Sequence, residues 1–155
     1  MGAYEELLAL TLYDFLANFV SAKSLGRAVH ELLFELSPVS RNRRPDVAFV
    51  SYERWGKHQH VPRTPAWNVI PDLAVEVVSP TNTMNEIVGK VNEYFTAGVR
   101  VVWLVLPEHR QIYVYESAQR VNVLNHDAEL TDESILQGFR MPLADFFEEP
   151  AADDA

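Results

Sequence analysis

Leu73-Ala74-Val75-Glu76-Val77-Val78 is an apolar, β-branched run that reads as a buried strand, yet a glutamate sits in its middle. A carboxylate in a core strand is costly unless a cation, a metal or hydrogen bonds compensate it. Glu76 is therefore a candidate functional group in a chain whose neighbouring segments must build a sheet around it. Pro71-Asp72 leads into this strand and Ser79-Pro80 ends it. A second Pro-Asp pair, Pro45-Asp46, opens another strand-like run over 46–51.

The rest of the chain supplies the partners for those strands. Leu7, Leu8, Leu12, Phe15, Leu16 and Phe19 keep near-helical spacing and predict an amphipathic helix over 3–20. Residues 27–36 read as one strand and 37–44 as a polar turn. The stretch 55–68, with Gly56, Pro62 and Pro65, predicts a loop; loops of that length are often functional. Residues 83–97 form the clearest second helix, stopped by Gly98. Runs 99–106 and 111–116 flank Pro107-Glu108-His109-Arg110 and predict a hairpin. An edge strand at 121–125 and a short apolar closing segment at 139–147 complete the order. Helix, strands, helix, strands is the pattern of a single mixed α/β domain over 1–148 with a central sheet. The acidic end, 149–155, reads as a solvated tail.

Composition narrows the function classes. At 155 residues the chain can bury one real core, and no apolar run approaches the roughly 20 residues of a membrane span. The absence of cysteine removes disulfides and thiolate metal sites, which is compatible with a cytoplasmic protein. The net charge of −9 runs against nucleic-acid binding, but Arg41, Arg43, Arg44, Arg54, Lys57 and Arg63 cluster around and beyond the first Pro-Asp. A basic rim can coexist with an acidic total, and an acidic site recovers charge when it binds a metal.

Strand alternation puts Asp72, Ala74, Glu76 and Val78 on one face, with Asp72 about 13 Å from Glu76 at ~3.3 Å per residue. Asp72 is thus better suited to a capping or loop role than to sharing an ion with Glu76. Asp46, from a different strand, has no such constraint. If the two strands are neighbours, Asp46 and Glu76 can form the incomplete oxygen shell that Mg²⁺ prefers when a phosphate must also bind. Lys90 lies beside Ile87, Val91 and Tyr94 on the second helix, bordering its sheet-facing side. There it can orient a water or meet developing phosphate charge. Each residue has a plainer alternative: a structural buried carboxylate for Glu76, a turn role for Asp46, an ion pair with Glu86 for Lys90. His30, His58, His60, His109 and His126 show no ligand spacing, and Ser79 lacks a nucleophile elbow.

Pro45-Asp46-Val47-Ala48-Phe49-Val50, Pro71-Asp72 through Ser79-Pro80, then Glu86, Lys90, Tyr94, Gly98-Val99 and Trp103-Leu104-Val105 together resemble the Uma2 family of restriction-endonuclease-like proteins in the PD-(D/E)xK superfamily. The resemblance covers most of 25–117. It implies a restriction-endonuclease-like core and Mg²⁺-dependent cleavage of a DNA phosphodiester, with Mn²⁺ as the alternative ion. Asp46 and Glu76 then match the metal carboxylates, and Lys90 matches a catalytic lysine moved from the position of Val78 to the following helix. Asp72, Glu86 and Tyr94 are accessory candidates. Leu106 departs from the family pattern, which has an aspartate there, and the segment before residue 25 is shorter than that pattern. Two other expectations stand beside a nuclease: a catalytically inactive module that binds nucleic acid or protein, and a homodimer built on the hairpin through Trp103, Tyr113 and Tyr115.

Overall fold

Leu8, Leu12, Leu16 and Val20 recur every fourth residue and form one buried stripe along helix α1 (Ala3–Ala22), as the helical period requires. Leu7 and Phe15, expected on that stripe, are 64% and 37% exposed. The computed structural model describes residues 1–148, so the expected acidic tail lies outside the described residues. After α1 come β1 (Gly26–His30), β2 (Phe34–Leu36), β3 (Arg41–Arg43), β4 (Val47–Ser51) and β5 (Leu73–Val77). Helix α2 (Met84–Ala97) leads to β6 (Val101–Leu106), β7 (Gln111–Ser117) and β8 (Arg120–Leu124). The described chain closes with β9 (Glu129–Asp132), β10 (Leu136–Pro142) and the single-turn helix α3 (Leu143–Phe146).

Six strands form the central sheet in the order β1-β4-β5-β6-β7-β8. Only β5 and β6 run parallel, joined through α2; the other neighbours are antiparallel, so the sheet is mixed as expected. The β6–β7 hairpin turns through a short 3-10 segment whose last residue is followed by Arg110 in the left-handed region, φ 50°. Trp103 is wholly buried and offers nothing to a second copy, while Tyr113 and Tyr115 pack part-buried against the core.

The sequence reading of one strand over 27–36 is corrected. The chain breaks at Glu31, a non-glycine residue at φ 51°, and its two halves serve different sheets. β1 pairs with β4, whereas β2 turns away to pair with β3, so the supposed polar turn contains a strand. The apolar content of both halves is real, but it fills two sites: Phe34 and Leu36 pack under α2, Ala28 on the α1 side. A further strand, β9, pairs with β10 on the α1 side of the molecule.

The sheet separates two apolar layers. On one face, Leu8, Leu12 and Leu16 of α1 meet Leu73, Val75 and Trp103, with Phe139 stacked on Trp103. On the other, Val91, Tyr94 and Ala97 of α2 meet Ala48, Ala74 and Val102; the small Ala48 and Ala74 let the helix lie close. The 55–68 stretch contains no helix or strand, yet Trp67 is buried, stacked on Phe34 and met edge-on by Trp55. Among the described residues no helix is long and apolar enough to cross a membrane.

Candidate active site

Strand register brings the two Pro-Asp segments together. Val47 pairs with Val75 across β4 and β5, so one more step of the ladder sets Asp46 opposite Glu76. Asp46 stands just before β4 rather than in it, and its Oδ2 accepts the Val77 backbone N–H at 2.7 Å. The carboxylate thus stands in for a ladder carbonyl at the strand end, which leaves Oδ1 as its candidate metal donor. The Asp46 and Glu76 carboxyls lie near enough for each to shift the other's titration.

Helix α2 supplies the groups that face Glu76. Thr83 is its N-cap and forms a reciprocal capping box with Glu86; Gly98 ends it at φ 109°, the left-handed conformation glycine adopts without strain. This fixes the helix phase, and Glu86, Lys90 and Tyr94 then line up four residues apart along one ridge. Tyr94 Oη donates to Glu76 Oε1 at 2.5 Å, and Lys90 Nζ lies 3.7 Å from Glu76 Oε2. This contact across elements takes the place of the alternative pairing of Lys90 with Glu86. Glu86 is instead turned back to the Thr83 N–H at 3.4 Å and is exposed.

These groups open onto a cavity of about 300 Å³ walled by Glu76, Lys90, Tyr94, Arg43, Asn82 and Glu86, with Val77, Val78, Ile87, Val91 and Leu104. Asp46 backs Glu76 from behind rather than forming the wall. Glu76 is 13% exposed, and burial pushes its carboxyl up to about 7; Asp46 adds to the rise, while Lys90 and the Tyr94 hydroxyl oppose it. Asp46 is also raised, chiefly by burial, against the Val77 hydrogen bond and Lys90. The Tyr94 hydroxyl is pushed well above its ordinary value by burial and by Glu76. Two adjacent carboxyls repel when both ionise, and a divalent cation relieves that repulsion with the oxygen donors it prefers. Asp46 and Glu76 therefore fit a hard cation.

Arg43 is a cavity residue that the sequence indicated only as part of a basic cluster. It is hydrogen-bonded to Glu93 of α2, which Arg41 also approaches, at 3.4 Å. The signal was a glutamate on the helix beside the lysine and a run of arginines upstream; what it lacked was the β2–β3 hairpin that carries them there. Asp72, by contrast, lies at the other end of β5. It accepts from Ser51 N at 2.7 Å and Ser51 Oγ at 3.1 Å, and it faces Arg54 at 3.4 Å and Arg100 at 3.6 Å. It is a strand-end clamp, separate from Glu76, as the spacing argument expects. His58 and His60 are exposed, and Leu106 is half-buried at the end of β6.

The chain thus sets a mixed sheet between two helices, with acidic groups at the adjoining ends of two central strands. The chain belongs to the Uma2 family, whose model, described as "Putative restriction endonuclease", matches residues 1–144. In a crystal structure described as "a putative nuclease belonging to DUF820" from Anabaena variabilis, a similar fold covers 95% of this chain and 82% of that one. The TM-score is 0.78 at 18% identity, a likeness of fold. No curated protein matches the chain.

Proposed function

We propose that the protein is a metal-dependent endonuclease that hydrolyses DNA phosphodiester bonds, with Asp46 and Glu76 holding Mg²⁺ or Mn²⁺ and Lys90 assisting the attacking water. The observation that carries this reading is that Glu76 of β5, with Asp46 from the segment before β4 beside it, meets Lys90 of α2 at one cavity, Lys90 Nζ standing 3.7 Å from Glu76. When bound, the ion supplies Lewis-acid polarisation of the phosphate and neutralises charge. Lys90, 35% exposed, reaches solvent from a partly apolar wall, where it orients a water and offsets the negative charge gained by the phosphate. Tyr94 fixes the Glu76 carboxyl by its hydrogen bond, and Arg43, in the cavity wall and held by Glu93, gives a positive group for a phosphate oxygen.

The test is cleavage of plasmid and linear DNA by purified protein with Mg²⁺, Mn²⁺ or EDTA. Metal-dependent nicking is expected, falling by roughly 100-fold or more in Glu76→Gln and Lys90→Ala, the range for losing an electrostatic catalytic group. Cleavage that survives both substitutions sinks the assignment. The acidic composition, net −9, favours a second reading: a non-catalytic module on the same scaffold. Calorimetry separates the two, because the module predicts no Mg²⁺ or Mn²⁺ heat that depends on Glu76.

A further inference from the structure

The cavity beside Glu76 offers more than the cleavage of a phosphodiester requires. Its volume is about 300 Å³, at the lower end of the roughly 300–1,000 Å³ spanned by pockets that house one small ligand. Glu76, Lys90 and Arg43 share its lining with the apolar side chains of Val78, Ile87, Val91 and Leu104. A phosphate presents oxygen and charge and gains nothing from apolar surface, whereas a nucleobase has two faces that do. In a duplex those faces are stacked on their neighbours and out of reach. Asn82 and Glu86, exposed at the start of α2 and also in the lining, carry the amide and carboxylate that hydrogen-bond to base edges.

The electrostatics favour the same occupant over a continuous duplex. In and around the cavity Asp46, Glu76, Glu86 and Glu93 outnumber Arg41, Arg43 and Lys90, and each of these cations is already ion-paired within the protein. One bound divalent cation turns that balance only slightly positive, whereas a protein that grips a duplex makes about 6–10 phosphate contacts. The basic residues that cluster in the sequence do not extend the track. Arg54 is held by Asp72 at the other end of β5, and the Lys57 carbonyl accepts from Arg27 near the start of β1. That is the end of the sheet away from Asp46, since Arg27 pairs with Val50 at the far end of β4.

We infer that the cavity takes one unpaired nucleotide, its base against Val78, Ile87 and Leu104 and its phosphate toward Arg43 and Lys90. The substrate class, which rests on the nuclease reading, is then single-stranded or locally open DNA rather than continuous duplex. A perfect duplex must first extrude a nucleotide at the cost of unstacking it. A single strand or a bulge meets the cavity without that cost, and negative supercoiling lowers it in a plasmid.

The test compares three fluorescently labelled oligonucleotides of one sequence: a single strand, its perfect duplex, and a duplex with one bulged nucleotide. Binding to the full-length protein is read by fluorescence anisotropy in Ca²⁺, an ion of oxygen sites, and cleavage is read separately in Mn²⁺. The single strand and the bulged duplex should bind roughly 10- to 100-fold tighter than the perfect duplex, the range for housing one base, and should be cut faster. Ile87→Trp fills the cavity from a half-buried position; it should remove that preference while calorimetric Mn²⁺ binding stays that of the wild type. Val78→Phe, also at a half-buried position, provides the comparison should Ile87→Trp fail to fold. Equal binding of all three, absence of binding, or a preference that survives the substitution overturns the inference. So does equal cleavage of duplex and single strand, which leaves the nuclease reading standing. A binding preference with no cleavage of any of the three supports the nucleotide in the cavity and sinks the nuclease reading instead.

Discussion

Glu76 keeps its proton to about 7 because burial penalises its charged form, and Asp46 beside it penalises that form further. A carboxyl raised in the folded state binds protons more tightly than in the unfolded chain. Its contribution to stability is therefore full below about 4.5 and is lost as pH rises through about 7. At 1.36 kcal/mol per unit the swing is on the order of 3 kcal/mol. Urea denaturation of the metal-free protein across pH 4.5–8 should show that decline, and Glu76→Gln should flatten it. The same proton competes with a cation. Calorimetric Mn²⁺ affinity should rise close to tenfold per pH unit below about 7 and level off above it. Tyr94→Phe removes a hydrogen bond that favours ionised Glu76, so the levelling point should move to higher pH. A midpoint unchanged in Tyr94→Phe would mean that Tyr94 does not position this carboxyl.

Helix α2 owes its register to chemistry written locally. The Thr83–Glu86 capping box and the left-handed Gly98 hold its two ends, and between them the four-residue spacing directs Lys90 and Tyr94 at Glu76. Thr83→Ala should lower stability by about 1 kcal/mol, measured by thermal denaturation. Lys90 is two turns away, so Mn²⁺ affinity of the folded protein should hardly change. The helix and the β6–β7 hairpin were both legible in the sequence, because caps, turn residues and periodicity lie within a few residues of what they determine. The strand pair β2–β3 was not. Phe34 and Leu36 carry the same apolar signal as a continuation of β1, and only the left-handed Glu31 diverts them beneath α2.

Across the molecule, the two ends of β5 do different work. Glu76 opens into the cavity, whereas Asp72 is 1% exposed and ties β4, through Ser51, to Arg54 and Arg100. Removing it leaves the Ser51 backbone N–H without its acceptor and takes one carboxylate partner from each arginine, Arg54 keeping the Ile70 and Pro71 carbonyls and Arg100 keeping Glu53. Asp72→Ala should cost about 3–5 kcal/mol in denaturant unfolding, the range for breaking a buried ion pair. Mn²⁺ affinity measured on the folded fraction should remain that of the wild type. A loss of metal binding at unchanged stability would transfer Asp72 to the site.

The chain's own residues determined the existence of the Glu76 strand, the capped helix after it and the hairpin beyond, since each depends on neighbours along the backbone. They also marked Glu76, because a charge amid apolar residues is visible without coordinates, and pointed to Asp46 and Lys90 through the second Pro-Asp, the helix position and the family resemblance. Tertiary structure alone decided that Lys90 faces Glu76 rather than Glu86, that Arg43 walls the cavity, and that Glu6 meets His30. Those contacts join residues 14 to 33 or more positions apart, and which of several partners a charged side chain takes depends on how whole elements pack.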